Sequence, residues 1–301
     1  MAINTTAIRN LLRPGLAAIF GDYPQYPAQW KEIYESHDSD KAVEIEVEVK
    51  LLGLAQLRTE GASTFYDTMG QRSITNYVNK YYGLGFIITR QAIKDNLYKS
   101  RFPMQAKALR QSFEQTKEIN GAAVINNGYD TNFPIGDGLP VFSTGHLRDG
   151  GTVANTPSTQ VNLNEASLED AIIAIQAFRN AAGLKINYKA MKLLVPPQNQ
   201  FVAVRLLKSE YRTDGADNDV NAIANQNYIP QGFRVNQFLT DVNGWTILTD
   251  CHDGAKYYQR EAFETDTYTD FDNDNVKVKA IERYCFGVSN FRRFYGSSGA
   301  S

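Results

Sequence analysis

Three histidines (His37, His146, His252) and two cysteines (Cys251, Cys285) are the side chains best suited to metal binding or nucleophilic chemistry. A chelate needs ligands that converge on one point, and no two of these histidines have a ligand-type spacing. Cys251 and His252 are adjacent, so on a strand they face opposite sides, and a structural role is the better reading. Asp266, Asp270, Asp272 and Asp274 have the oxygen density of a calcium loop. They lack the glycine and the closing glutamate of an EF-hand, which favours hairpin-turn acids, with a weak cation site as the alternative. Gly136-Asp137-Gly138 has no third glycine and no flanking strand-helix pattern, so it is a turn. No phosphate-cradling loop, nucleophile elbow or H-E-x-x-H helix occurs. Lys94, Lys99, Arg101, Lys107 and Arg110 form a basic cluster, but acids interrupt it and no aromatics are placed to stack on bases; it reads as a solvated helix face. No catalytic, cofactor or metal residues are expected, and no cofactor is implied.

The elements matter more than the reactive side chains. The chain of 301 residues is 43% hydrophobic, with net charge −2 and a pI near 6. That suffices for a large core and two subdomains, and it gives no basic field for nucleic acid. Two cysteines without framework spacing suit a reducing compartment. No apolar leader and no membrane-length apolar window are present. Residues 82–127 organise the rest: Leu84 to Thr89 reads as a strand, and from Phe102 the period changes. Phe102, Ala106, Leu109, Phe113 and Thr116 share one helical face. The spacing predicts a helix over 103–125 with Pro103 in its first turn, roughly 35 Å long at ~1.5 Å per residue. Its apolar stripe is narrow, so the helix lies along a surface.

Before it, the proline- and aromatic-rich GDYPQYPAQW makes residues 1–40 an arm. Tyr23, Tyr26 and Trp30 need a surface, either a neighbour's or that of their own domain. KAVEIEVEVKLL alternates strictly, with Val43, Ile45, Val47 and Val49 on one face and Glu44, Glu46, Glu48 and Lys50 on a solvated or salt-bridged face. Residues 74–88 read as one strand-like run, and residues 54–80 as a projecting hairpin whose Arg58, Glu60, Asp67 and Arg72 contact a neighbour. After the helix, residues 128–165 are turn-rich, anchored at Leu139-Pro140-Val141-Phe142. A capping box at Ser167 and Asp170 is expected to open a helix ending at Gly183. MKLLV is a buried strand, 199–207 a second helix, and the strands around Phe233 and Trp245 are separated by an Asn243-Gly244 turn. Strands at 256–259 and 276–287 flank the acidic turn, and GSSGAS is flexible by composition.

This order of elements resembles the Hong Kong 97 (HK97) fold of tailed-phage major capsid proteins, an α+β fold. The resemblance implies an N-terminal arm (1–40), an E-loop hairpin with flanking strands (41–90) and a spine helix with following loops (91–165, peripheral domain). An axial domain (166–250) follows, and C-terminal strands (251–301) complete both domains. YYGLGFIITRQAIKDNLY, LPVFSTGH, KLLVPPQ and AIERYCFGVSNFRRFYG are similar to stretches in major head subunits of Mu-like phages. The likeness covers nearly the whole chain through short motifs that are specific as a set. It implies a virion subunit, assembled in the bacterial cytoplasm, that forms pentamers and hexamers in an icosahedral shell. The shell encloses double-stranded DNA without sequence-specific binding and without a membrane. The arm starts at Met1, so a scaffold or protease is expected to be a separate protein, alongside portal and decoration proteins. Some relatives cross-link through an E-loop lysine; residues 54–79 contain none, so no isopeptide bond is expected. The rival readings are an encapsulin-type nanocompartment, a soluble enzyme with an unrecognised site, and another virion protein such as a tail-tube or decoration protein.

Overall fold

The computed structural model describes residues 27–95, 98–212, 219–270, 272 and 274–300. Two four-stranded sheets carry the chain. The first has the order β1 (Glu35–Asp38), β10 (Ala255–Thr269), β11 (Val276–Val288), β4 (Lys80–Ile88), with β1 parallel to β10 and the remaining neighbours antiparallel. The second has the order β12 (Phe294–Ser297), β9 (Trp245–Thr249), β7 (Ala190–Val195), β8 (Phe233–Val235). Two hairpins stand apart: β2 (Val43–Lys50) with β3 (Gly70–Val78), and the short β5 (His146–Arg148) with β6 (Gly151–Val153).

A short helix, α1 (Arg90–Lys94), leads into α2 (Tyr98–Asn126), which has 29 residues and is about 43 Å long at ~1.5 Å per residue. It starts five residues before Pro103, so the proline sits in the second turn rather than the first. There its missing N–H forfeits one helical hydrogen bond. The expected narrow stripe is present: Ala106, Leu109 and Phe113 are buried, and the last two pack with Ala280, Tyr82, Phe86 and Phe263 of the first sheet. Further along, Lys117 pairs with the buried Glu282, and Asn120 Nδ2 donates to Tyr284 Oη at 3.0 Å. Glu118 turns the other way and accepts the backbone N–H groups of Gln29 (2.8 Å) and Trp30 (3.1 Å). It thereby satisfies orphan donors of the one-turn 3₁₀ helix Gln29–Glu32. Gly121 lets that turn approach, since a Cβ there would lie 2.9 Å from Trp30 Cβ.

β7 and β9 serve two cores at once, because strand residues alternate between faces. Leu193, Val195 and Ile247 face one cluster with Leu168, Ile172 and Ile175 of α3 (Glu165–Gln176) and Leu206 of α4 (Gln200–Lys208). Leu194 and Leu248 face the other, with Trp30, Tyr257, Tyr284, Val141, Phe142 and Phe294. The anchoring expected of Val141 and Phe142 is therefore real. Among the described residues, no helix is long and apolar enough to cross a membrane.

Four local readings are corrected. The capping box of α3 is formed by Asn164 and Ser167, one turn earlier than the Ser167–Asp170 pairing, and the helix ends at Gln176. Gly183, at φ 81°, instead serves the turn that joins the bridged residues Arg179 and Lys185. The run 74–88 is two strands in different sheets, broken at the buried Asn79, whose amide donates to Ser39 Oγ and Lys41 O at 2.9 Å each. β8 and β9 are not partners across Asn243-Gly244, since β7 lies between them. The tail is tied down as far as Ala300: Ser297 closes β12, Ser298 N donates to Gln160 Oε1 and Ala300 N to Asn162 Oδ1, both at 2.9 Å. Ordinary polar partners supply what composition alone does not reveal.

Candidate assembly interface

The β2–β3 hairpin obeys the alternation of its sequence with the opposite polarity from a domain core. Val43, Ile45, Val47 and Val49 point outward, and Ile45 is 64% exposed. Their cross-strand partners extend the same face: Val43 opposes Val78 and Val47 opposes Ile74, both exposed. A register shift at Glu48–Val49 ends the regular ladder. Beyond it, residues 51–69 form no helix or strand, and Leu51, Leu52, Leu54, Leu57, Phe65, Tyr66 and Met69 are all exposed, Leu57 to 96%. Single exposed apolar residues are normal; a continuous face of this extent marks a surface that something covers.

The charged face is the one turned inward. Glu44 accepts from Ser39 Oγ at 2.9 Å. Glu46 meets Lys256 Nζ and Tyr258 Oη, each at 2.5 Å, and also accepts from Ser289 Oγ. Burial pushes the Glu46 carboxyl up, but those three hydrogen bonds and the Lys256 charge outweigh it and hold the group below the ordinary carboxylate range. Glu48 pairs with Arg292 at 3.1 Å and accepts from Ser73 Oγ at 3.0 Å. Lys50 reaches Asp149 at 2.5 Å, and Arg72 reaches Asp149 at 3.5 Å and the Ala181 carbonyl at 3.1 Å. Tyr77, 2% exposed, bonds Ser289 and packs against Gly287, where any Cβ would lie 2.6 Å from its ring. The hairpin is thus held to the body by polar stations spread along its length, not by an apolar face.

The residues singled out for contacts divide accordingly. Tyr23 and Tyr26 lie outside the described residues. Trp30, 5% exposed, fills its own chain's core against Tyr257 and Phe286, so it is not left for a neighbour. Arg58 Nε donates to Ala62 O at 2.7 Å, and Asp67 accepts from the Gly53 and Thr68 N–H groups at 2.8 Å each. Both shape the loop itself. Glu60 is exposed at the turn beside Gly61. Arg72 is engaged within the chain, as above. The outward groups are the aliphatic ones, although alternation alone favours them for the inside.

The histidines take different roles. His146 is fully buried, with Nδ1 2.5 Å from Asp137 Oδ2 and its ring stacked on Phe291 at 3.8 Å; this is a packed structural imidazole. His37 meets Glu35 and Asp253, a convergence that chain spacing does not reveal. Of the four acids read as turn acids, Asp266 lies within β10, opposite Lys279, because the strand runs on to Thr269; Asp270 pairs with Lys277 at 2.7 Å and Asp274 with Arg90.

A family described as phage capsid protein matches residues 73–297, well over half of the sequence. The chain belongs to the phage capsid protein family. No curated protein matches it. Among solved structures, the capsid of a native GTA particle aligns with TM-score 0.60 at 10% identity, covering 93% of this chain and 97% of that one. The bacteriophage JBD30 capsid aligns with TM-score 0.53 at 14% identity, covering 100% and 75%. The virus-like particle from Pyrococcus furiosus aligns with TM-score 0.53 at 11% identity, covering 96% and 98%. At these identities the likeness is one of fold, and the fold is the α+β HK97 type. As a major capsid protein, the chain is a non-enzymatic virion component that assembles with copies of itself into the phage head shell.

Proposed function

We propose that this capsid protein is a head subunit of the Mu-like group, forming pentamers and hexamers around double-stranded DNA. The short stretches that resemble that group support the reading because they fall on framework elements. One runs through β4 toward α2, one through the Val141-Phe142 anchor, one along β7 to its prolines, and one from β11 into β12. The net charge of −2 supports a wall that encloses DNA without gripping its sequence. Assembly takes place in the host cytoplasm, alongside portal and decoration proteins.

The observation that carries the mechanism is the outward apolar face of β2 and β3. Its occupant is a second copy of this chain, which a shell of pentamers and hexamers presents to every subunit in a similar position. Residues 51–69 reach over that copy, and the polar stations from Glu44 to Arg72 keep the hairpin braced while they do so. The test is the double substitution Ile45→Thr and Val47→Thr, which keeps β-branching and removes apolar contact. Expected are a subunit with unchanged thermal unfolding and a loss of closed shells in negative-stain images. Wild-type shells from the double variant would overturn the role of this face. Nuclease-protected DNA in particles made with the neighbouring genes supports the DNA-head reading, and cargo protein in its place would refute it.

A further inference from the structure

We propose that Glu35, His37 and Asp253 form a binding site for a divalent cation of the zinc type. Glu35 and His37 are two apart on β1, so both side chains project from the same face. β1 is the parallel edge partner of β10, with Glu35 opposite Lys256 and His37 opposite Tyr258. Asp253 sits in the turn just before β10 with φ 56°, a left-handed conformation that aims its side chain back toward β1. The three residues offer one ligand atom each within 4.8 Å of one another. His37 Nε2 lies 3.3 Å from Asp253 Oδ1, and the Asp253 N–H donates to Glu35 Oε2 at 3.2 Å. Nε2 is itself shielded from solvent and makes no hydrogen bond, so a metal would displace none there.

Charge favours a cation at this point. Glu35, Asp253 and Glu46 face one cation, Lys256, which lies 2.5 Å from Glu46 and 3.6 Å from Asp253. With His37 neutral, the cluster therefore holds two uncompensated negative charges. Lys256 is already satisfied by Glu46, which frees Asp253 to turn to a metal. An imidazole beside two carboxylates suits zinc-type ions, whereas calcium and magnesium prefer oxygen alone. Ligands around such an ion sit at ~2.0–2.2 Å from it, so the half-exposed side chains need to draw in by about 1 Å. The Tyr258 ring, 5.6 Å from that of His37, steadies the imidazole. The bound ion would clip β1, the first strand among the described residues, to the turn that opens β10. It would thereby close a loop of more than two hundred residues, for which Glu35 and Asp253 are 218 apart.

The experiment titrates untagged, chelator-stripped protein, as shells and as subunits, with Co²⁺ read by its visible absorption, then competes with Zn²⁺ and Mg²⁺. Expected are one ion per chain, displacement by Zn²⁺ but not by Mg²⁺, and a rise in thermal unfolding temperature with Zn²⁺. His37→Gln and Asp253→Asn should each weaken binding at least ~10-fold, while His252→Gln, on the exposed neighbouring residue, leaves it unchanged. Circular dichroism on each variant separates lost binding from lost fold. Glu35→Gln provides a third, independent ligand removal. Absence of saturable Co²⁺ binding below about 1 mM, or equal binding by the wild type and all three ligand variants, overturns the site. Neither result bears on shell formation, so the proposal fails or stands apart from the assembly reading.

Discussion

Lys117→Met isolates what holds the long helix to the first sheet. Lys117 and Glu282 are 13% and 3% exposed, and the ammonium also lies 5.3–5.8 Å from the ring centroids of Trp30, Tyr257 and Tyr284. Burial pushes the Glu282 carboxyl above its ordinary range, and the charge and hydrogen bond of Lys117 pull it only part of the way back. Removing the lysine leaves a carboxylate among aromatic rings with Arg110 as its remaining cation. Breaking a buried pair from one side costs about 3–5 kcal/mol, and the lost cation–π contacts add about 0.5–2 kcal/mol. Glu282 can escape by taking up a proton. Its folded pKa is raised, so the folded state binds that proton more tightly than the unfolded chain does. The variant must therefore regain stability as pH falls from 7 toward 5, by up to ~1.4 kcal/mol for each step of one in pH. Urea unfolding of dissociated subunits at both pH values measures this. Lys117→Met combined with Glu282→Gln, which leaves a neutral amide, should recover at least half of the loss. A single variant within 1 kcal/mol of wild type at pH 7, or a loss independent of pH, would refute the reasoning.

Acid should release the hairpin through Glu46, whose folded carboxyl is held below its ordinary value. That stabilisation is present above the unfolded pKa and disappears as pH falls through the folded one. Between pH 7 and 3, amides of β2 and β3, corrected for intrinsic rates, should lose protection before those of β10 and β11. Uniform loss would count against the latch. Gly287→Ala places a methyl 2.6 Å from the Tyr77 ring and should cost about 1–3 kcal/mol; an unchanged urea midpoint would show that the ring moves aside freely. Denaturing gels of mature particles should show single subunits, since residues 54–79 contain no lysine and Lys50 is engaged by Asp149. A covalent ladder would contradict this.

The long helix, the buried MKLLV strand, the α4 helix and the alternation of β2 were legible because each is written in a local period. Their relative placement was not. A strict alternation states that two faces differ and leaves open which of them is buried; β2 needed Lys256, Ser289 and Arg292, all more than two hundred residues away, to draw its glutamates inward. Asn79 broke a run that read as one strand because Ser39 and Lys41 bind its side chain. The tail was misread because small polar residues look flexible until Gln160 and Asn162 supply acceptors for their N–H groups. His37 looked solitary for the same reason: its neighbours converge only after β1 docks on β10.

The inverted hairpin follows from the energetics of a subunit that finishes its burial in company. Covering a Val or Ile side chain fully contributes roughly 1.5–3 kcal/mol, and the outward face of β2 and β3 leaves much of that unrealised in one chain. Ion pairs contribute little net stability after desolvation, so the stations from Glu44 to Arg72 do not replace it. What they supply is geometry. Each carboxylate meets its own partners at a fixed register position, and a slip by one residue would turn the glutamates out and the valines in. Such a slip would bury the apolar face within the chain and remove it from any neighbour. The polar stations oppose that outcome, because Lys256 and Arg292 would then lose their counter-charges at the half-buried seam. Alternating glutamates thus act against self-burial, and the apolar face stays available for a second copy.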